Sequence, residues 1–222
     1  MFESPERVLV VAAHPDDEVL LCGGSIAKLS ERGSSVNILF LSTGAVSRTG
    51  DFSEVNILQN YAIEASKILG SSILSFDSFP DNEMDSLPRL DIIKKVESFI
   101  NHVRPQVIFT HYPGCANIDH RRTCEAVMIA TRPWKERINV FGGSVLSSTA
   151  VLYPSEWSPQ FFVHLSKSHV KKKLKALSMY ISETGPMPHP RSKAAVLSDA
   201  ILTGSRCYSK YAESFMVLRE HW

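Results

Sequence analysis

The chain has no basic leader, no long apolar run, no cysteine pair and no charge excess. Its first residues, Met1-Phe2-Glu3-Ser4-Pro5-Glu6-Arg7, lack a cationic segment followed by an apolar stretch, so they do not read as a secretory signal. The apolar run at residues 8–13 is far too short to span a bilayer, and no membrane span is expected. Cys22, Cys115, Cys124 and Cys207 are scattered with no CxxC spacing, which fits reduced thiols in a cytoplasmic protein better than a disulfide framework. The 24 basic residues nearly balance the 23 acidic ones, leaving +1, so bulk charge gives no reason to expect nucleic acid or a membrane surface as partner. The densest basic run, Lys171, Lys172, Lys173 and Lys175, has helical spacing and reads as a solvated face. No GxGxxG follows the first apolar segment, which counts against a nucleotide-dependent oxidoreductase.

What the chain does have is alternation. At 222 residues and 44% hydrophobic content it can bury a normal core, and a single domain over residues 1–222 is expected. Short β-branched runs at 7–13, 36–41, 73–76, 106–110 and 145–152 read as strands. Amphipathic segments at 18–31, 57–69, 90–103, 121–131, 170–181 and 192–202 read as helices. Strand and helix alternate through the first 150 residues, which predicts an α/β fold with a parallel sheet and helices on both faces. The part beyond about residue 155 has a different rhythm and is expected to pack beside the sheet rather than extend it.

Ligands of such sheets sit beyond the carboxyl ends of the strands, and the residues there are unusual. The first strand runs straight into His14-Pro15-Asp16-Asp17-Glu18. Three acids beside one imidazole are expensive to bury unless they are paired or hold a metal. His14 and Asp17, three residues apart, can face one ion from a turn, which leaves Asp16 available as a base. The bland alternative is that the acids merely favour a helix N-terminus. The fourth strand runs into a loop holding His111, Asn117, Asp119 and His120, from which a third, nitrogen ligand could come. Two histidines, one carboxylate and an open position is a recognised catalytic zinc pattern. Asp119 could orient a ligand or cap the following helix.

Together, Ala13-His14-Pro15-Asp16-Asp17-Glu18 and Asn117-Ile118-Asp119-His120 resemble the PIG-L/LmbE-like N-deacetylases. The likeness extends to Ser42-Thr43-Gly44 with Arg48, Glu64, Pro80-Asp81-Asn82, Arg132-Pro133, His189-Pro190-Arg191-Ser192 and Tyr211-Ala212-Glu213-Ser214-Phe215. The resemblance implies a Rossmann-like three-layer α/β/α sandwich with a mostly parallel sheet. It implies a zinc ion on His14, Asp17 and His120; affinity order and availability make iron(II) the alternative at such a donor set. It implies Asp16 as general base and Arg48 as a substrate contact. Asp81, Asn82, Arg132 and His189 are further candidates for reading sugar hydroxyls or a phosphate, and Arg191 with His189 is expected to close over the site from the C-terminal segment.

The implied reaction is hydrolysis of the N-acetyl group of an N-acetylglucosamine-like amino sugar, free or conjugated. The oligomeric state is left open. Asn117 stands where many members carry a histidine; its amide can still donate a hydrogen bond to the oxyanion but cannot act as an acid. Cys115 stands where bacterial relatives with the asparagine often carry an aspartate. Two rival readings use the same residues: an amidase acting on another N-acyl or thiol-conjugate substrate, and a non-catalytic glycan-binding protein.

Overall fold

The computed structural model describes residues 5–44, 53–133, 136–149 and 157–221. Seven strands form one sheet in the order β3-β2-β1-β4-β5-β7-β6. The strands are β1 (Arg7–Ala12), β2 (Ser35–Ser42), β3 (Ser72–Phe79), β4 (Val107–His111), β5 (Asn139–Gly143), β6 (Phe161–Leu165) and β7 (Tyr211–Arg219). The first five are parallel to one another. Strand β7 runs antiparallel between β5 and β6. The helices are α1 (Asp17–Glu31), α2 (Ser53–Leu69), α3 (Arg89–Val103), α4 (Ile118–Ala130), α5 (Lys167–Leu177) and α6 (Lys193–Arg206). Among the described residues, no helix is long and apolar enough to cross a membrane.

Three layers follow from the alternation within the central strands. Val8, Val10 and Ala12 of β1 point into one core with Ile38 and Phe40 of β2, where α1, α2, α5 and α6 pack through residues such as Ile26, Leu58, Leu177 and Val196. Leu9 and Val11 point the other way, with Leu39 and Leu41, onto Ile92, Val96 and Ile100 of α3 and Val127 of α4. A strand buried on both faces must be apolar at every position, which is why β1 and β2 read as continuous hydrophobic runs.

The structure corrects three expectations. Residues 145–149 do not form a strand: the Val145 carbonyl accepts the Ser148 and Thr149 N–H groups in a turn, and residues 150–152 lie outside the described residues. The strand is instead β5, which precedes it and was hidden by Gly142 and Gly143, since glycine weakens a strand signal. A Cβ at Gly143 would approach Leu21 Cβ at 3.0 Å, so the site admits little else. The C-terminal part does extend the sheet, through β7 and β6.

The third correction is Lys173, which is buried rather than part of a solvated face. Helix α1 is broken at Cys22, whose φ of −146° is not helical. The break strands polar groups on both sides. The Glu213 carboxylate on β7 accepts the Gly24 and Ser25 N–H groups at 2.8 and 2.6 Å, and Lys173 Nζ on α5 donates to the Leu20 carbonyl at 2.9 Å. Lys173 and Glu213 meet at 2.6 Å. A Cβ at Gly24 would lie 2.4 Å from Leu165 Cδ1 and 3.1 Å from Glu213 Oε1, so a larger residue there would have to displace both side chains. Removing one partner of a buried pair strands the other, at a cost of about 3–5 kcal/mol. Lys173→Met should therefore lower the unfolding free energy by about that amount in urea titrations. A loss below about 1 kcal/mol would show that the pair does not hold the break together.

Candidate metal centre and cleft

The carboxyl ends of β1 to β4 converge on one rim. At the end of β1, the Ala13 N–H donates to His111 Nε2 at 2.9 Å, tying this strand to the last residue of β4. Asp16 then adopts φ 110°, a left-handed value that costs energy for a residue with a Cβ. Several contacts hold it there. The Asp16 N–H donates to Glu18 Oε2 at 3.0 Å, and its carbonyl accepts the Val19 and Leu20 N–H groups of α1. Its carboxylate receives Arg191 Nη1 at 2.5 Å. Tyr180 donates its hydroxyl to the other Glu18 oxygen at 2.5 Å. Burial pushes Glu18 up to about 8, against the pull of that hydroxyl. Gly44, after β2, has φ +73°, and a Cβ there would press on His14 and Pro15 at 3.2 Å.

The turn aims Asp17 at the rim. Its Oδ2 lies 3.2 Å from His14 Nδ1 and 3.2 Å from His120 Nε2. Ligand atoms of His14, Asp17 and His120 all fall within 4.8 Å of one another. A second set, His14, Asp81 and Asp119, meets the same test through the other ring nitrogen, with His14 Nε2 at 2.9 Å from Asp119 and 3.2 Å from Asp81. The two sets differ in what is already satisfied. Asp119 accepts the Asn82 N–H at 2.6 Å on one oxygen and the Met84 N–H at 3.0 Å on the other. Asp17 Oδ1 is buried and has no hydrogen-bond partner among the described residues. A buried carboxylate oxygen left so is costly.

The first set therefore fits a divalent cation: two imidazole nitrogens, one carboxylate and an oxygen that needs a partner. Asp119 fits the role of carboxylate behind His14. The charges agree. Burial alone would depress both histidines, yet Asp119, Asp17 and Asp81 raise His14 well above its usual value, and Asp17 raises His120 to about 9. This is a place that favours positive charge, whether protons or a metal.

The loop after β4 shows which polar residue does what. Asn117 caps α4, its Oδ1 accepting the Asp119 and His120 N–H groups at 2.8 and 3.3 Å, so the cap is Asn117 and not Asp119. Asn117 Nδ2 donates to Asn82 Oδ1 at 2.9 Å. His111 does not join the metal set: its Nε2 already accepts the Ala13 N–H, and its ring stacks on His120 with centroids 3.9 Å apart. Burial keeps His111 well below its usual value, that is, neutral.

A cleft of about 360 Å³ opens at His14 and Asn117; Asp17 and His120 are buried and do not line it. Its walls bring together His14, Asp16, Asp81, Asn82, Asn117 and His189 from the sequence reading. Arg132 is not among them. It follows α4, a helix of 13 residues and so about 20 Å long, whose other end is at the cleft. It lines a separate hollow with Glu97 and Glu136. Arg48 lies outside the described residues. Arg191, expected with His189 to close over the site, lines the same cleft and also binds Glu183 at 3.1 Å and Ser147 at 3.1 Å. Asp16 is thus an ion-paired carboxylate, not a free one. Burial raises it to about 7 even though Arg191 pulls the other way. The motif His189-Pro190-Arg191-Ser192 was the signal for Arg191; nothing local marks Glu183, Ser147 or Ser148.

Comparison with known proteins gives the same direction. The PIG-L family, described as GlcNAc-PI de-N-acetylase, matches residues 9–131. A probable N-acetyl-alpha-D-glucosaminyl L-malate deacetylase 2 from Bacillus anthracis is 26% identical over 191 residues, covering 82% of this chain and 83% of the relative. A 4-oxalmesaconate hydratase from Pseudomonas putida is 28% identical over 191 residues, covering 76% and 71%. The structure of N,N'-diacetylchitobiose deacetylase from Pyrococcus horikoshii, in complex with an inhibitor, superposes with a TM-score of 0.79 at 20% identity, covering 96% of this chain and 84% of that one.

The Glu18 bridge yields a test of the geometry that is independent of chemistry. Tyr180→Phe removes the donor to a buried carboxyl and should cost about 1–3 kcal/mol in denaturant unfolding. An unchanged midpoint would mean that Tyr180 does not support the turn around Asp16.

Proposed function

Because this chain belongs to the PIG-L family of de-N-acetylases, we propose that it hydrolyses the N-acetyl group of an N-acetylglucosamine-like amino sugar or its conjugate, using a zinc ion on His14, Asp17 and His120. The observation that carries this reading is the buried Asp17 carboxylate, shared by two histidines and with one oxygen lacking a partner among the described residues, next to the paired carboxylate of Asp16. The enzyme is a metal-dependent hydrolase of amide C–N bonds, built as one domain over residues 1–222. Its scattered thiols suit the cytoplasm. Iron(II) is the alternative ion at this donor set.

When bound, the ion supplies Lewis acidity: it polarises the amide carbonyl and acidifies water toward a pKa of about 7. The residues of the chain do the rest. Asp16 takes a proton from the attacking water as the new C–O bond forms, and returns it to the nitrogen as the C–N bond breaks. Arg191 fixes the Asp16 carboxylate and favours its charged form, partly offsetting the burial that raises it to about 7. Asn117 has two amide hydrogens; the bond to Asn82 uses one, and the other serves the developing oxyanion. Asp81, Asn82 and His189 contact the sugar, with Arg48 as a further contact. The hydratase relative is consistent with a frame whose shared task is to activate water.

The test is acetate release from free, nucleotide-linked and lipid-linked N-acetylamino sugars. The zinc-loaded protein should release acetate from at least one, and Asp16→Asn should keep its zinc and lose about 10²–10⁴-fold in turnover. Full turnover by Asp16→Asn would remove Asp16 as the base. His120→Ala should bind zinc far more weakly, and an undiminished zinc content by elemental analysis would remove it from the ligand set. Glycan binding without release by the zinc-loaded wild type would favour the non-catalytic reading, and release from other N-acyl substrates alone would favour the amidase.

A further inference from the structure

We propose that Cys115 is a positioning residue for His120, fixing the ring so that Nε2 faces Asp17; the inference rests on the reading of His120 as a metal ligand. His120 Nδ1 lies 3.2 Å from Cys115 Sγ, and the thiol in turn donates to Ser148 Oγ at 3.2 Å. With Nε2 directed at the Asp17 carboxylate, the proton of the neutral ring belongs on Nδ1. The chain of donors is then complete: Nδ1–H to sulfur, and S–H to the serine oxygen. Histidine ligands almost always hand their second N–H to an oxygen acceptor, and that partner sets tautomer and orientation. Here a buried thiol takes the place of the usual carboxylate or carbonyl.

The thiol is itself held in place. The Cys115 N–H donates to the Tyr112 carbonyl at 3.2 Å, Ala116 N–H to the Ser148 carbonyl at 3.0 Å, and Arg121 Nη1 to the Cys115 and Ala116 carbonyls at 2.7 and 2.8 Å. A Cβ at Gly114 would lie 2.6 Å from the Tyr112 ring, so a larger residue before Cys115 would have to displace that ring. Since β5 feeds directly into the turn carrying Ser148, the partner of the thiol is anchored to the sheet as well. Neither a disulfide nor packing alone needs this arrangement.

The experiment measures zinc affinity of the full chain by competition with a chromophoric chelator, with thermal unfolding of the zinc-free protein alongside. Cys115→Ala should bind zinc on the order of 10–100-fold more weakly, while Cys115→Ser, which keeps an acceptor, should recover most of the loss. Wild-type affinity in Cys115→Ala, with affinity lost in His120→Ala, would overturn the positioning role and leave the ligand reading standing. Wild-type affinity in His120→Ala would instead overturn the ligand reading, and this inference with it. Equal weakening in the alanine and serine variants, in step with lower stability of the zinc-free protein, would also overturn it, as mere packing. Should Cys115→Ala fail to fold, the His120 Nδ1 proton of the zinc-loaded wild type decides by NMR. A slowly exchanging signal is expected, and rapid exchange with water contradicts the bond to sulfur.

Discussion

One carboxylate, that of Asp17, is the point on which the rim is built. It sits in the first turn of α1, buried, with imidazoles of His14 and His120 on one oxygen and nothing on the other among the described residues. A charge in that position is tolerable only with positive charge against it. His14 and His120 supply that condition, and the residues around them come from three strand ends. β1 delivers His14 and the strained Asp16, β3 delivers Asp81 and the backbone N–H of Asn82, and β4 delivers the loop and helix that carry His120. The buried two-faced strands matter to chemistry because they fix where these ends lie.

Much of this was legible in the sequence because it is local. A continuous apolar run that stops at His-Pro-Asp-Asp-Glu announces both a buried strand and a costly polar end, and the same holds for the run ending at His111. What was not legible depends on pairing across long stretches of chain. Arg191 meets Asp16 from 175 residues away, and no periodicity encodes that. Lys173 sits in a run that looks like any solvated face, and only the break in α1 and the arrival of Glu213 on β7 make it a buried cation. Strand β5 was missed for a different reason: Gly142 and Gly143 are there for close approach to neighbouring chain, which is the property that weakens a strand signal. Arg132 shows the reverse failure, since its motif was visible but a helix about 20 Å long separates it from the cleft.

The division of labour among carboxylates follows from their environments. Asp17 is held ionised by histidines. Asp119 is satisfied by two backbone N–H groups and stands behind His14. Asp16, buried but paired with Arg191, is shifted up to about 7, a range suited to taking and returning a proton. Glu18, pushed higher still, serves the turn rather than the reaction. Under the proposed function, these four neighbouring acids would divide into ligand, support, base and strut. A relative named as a hydratase and another named as a probable deacetylase fit the same logic. Under the proposed function, the rim would prepare water and the walls of the cleft would decide what the water attacks.

One divalent ion held by two histidines and one aspartate, with no sulfur, has its own signature in X-ray absorption at the zinc edge of the loaded wild-type protein. The expected spectrum shows nitrogen and oxygen neighbours at about 2.0–2.2 Å with the outer scattering of two imidazoles. A neighbour at about 2.3 Å with sulfur amplitude would make Cys115 a ligand rather than a support, and would contradict the arrangement described for His14, Asp17 and His120.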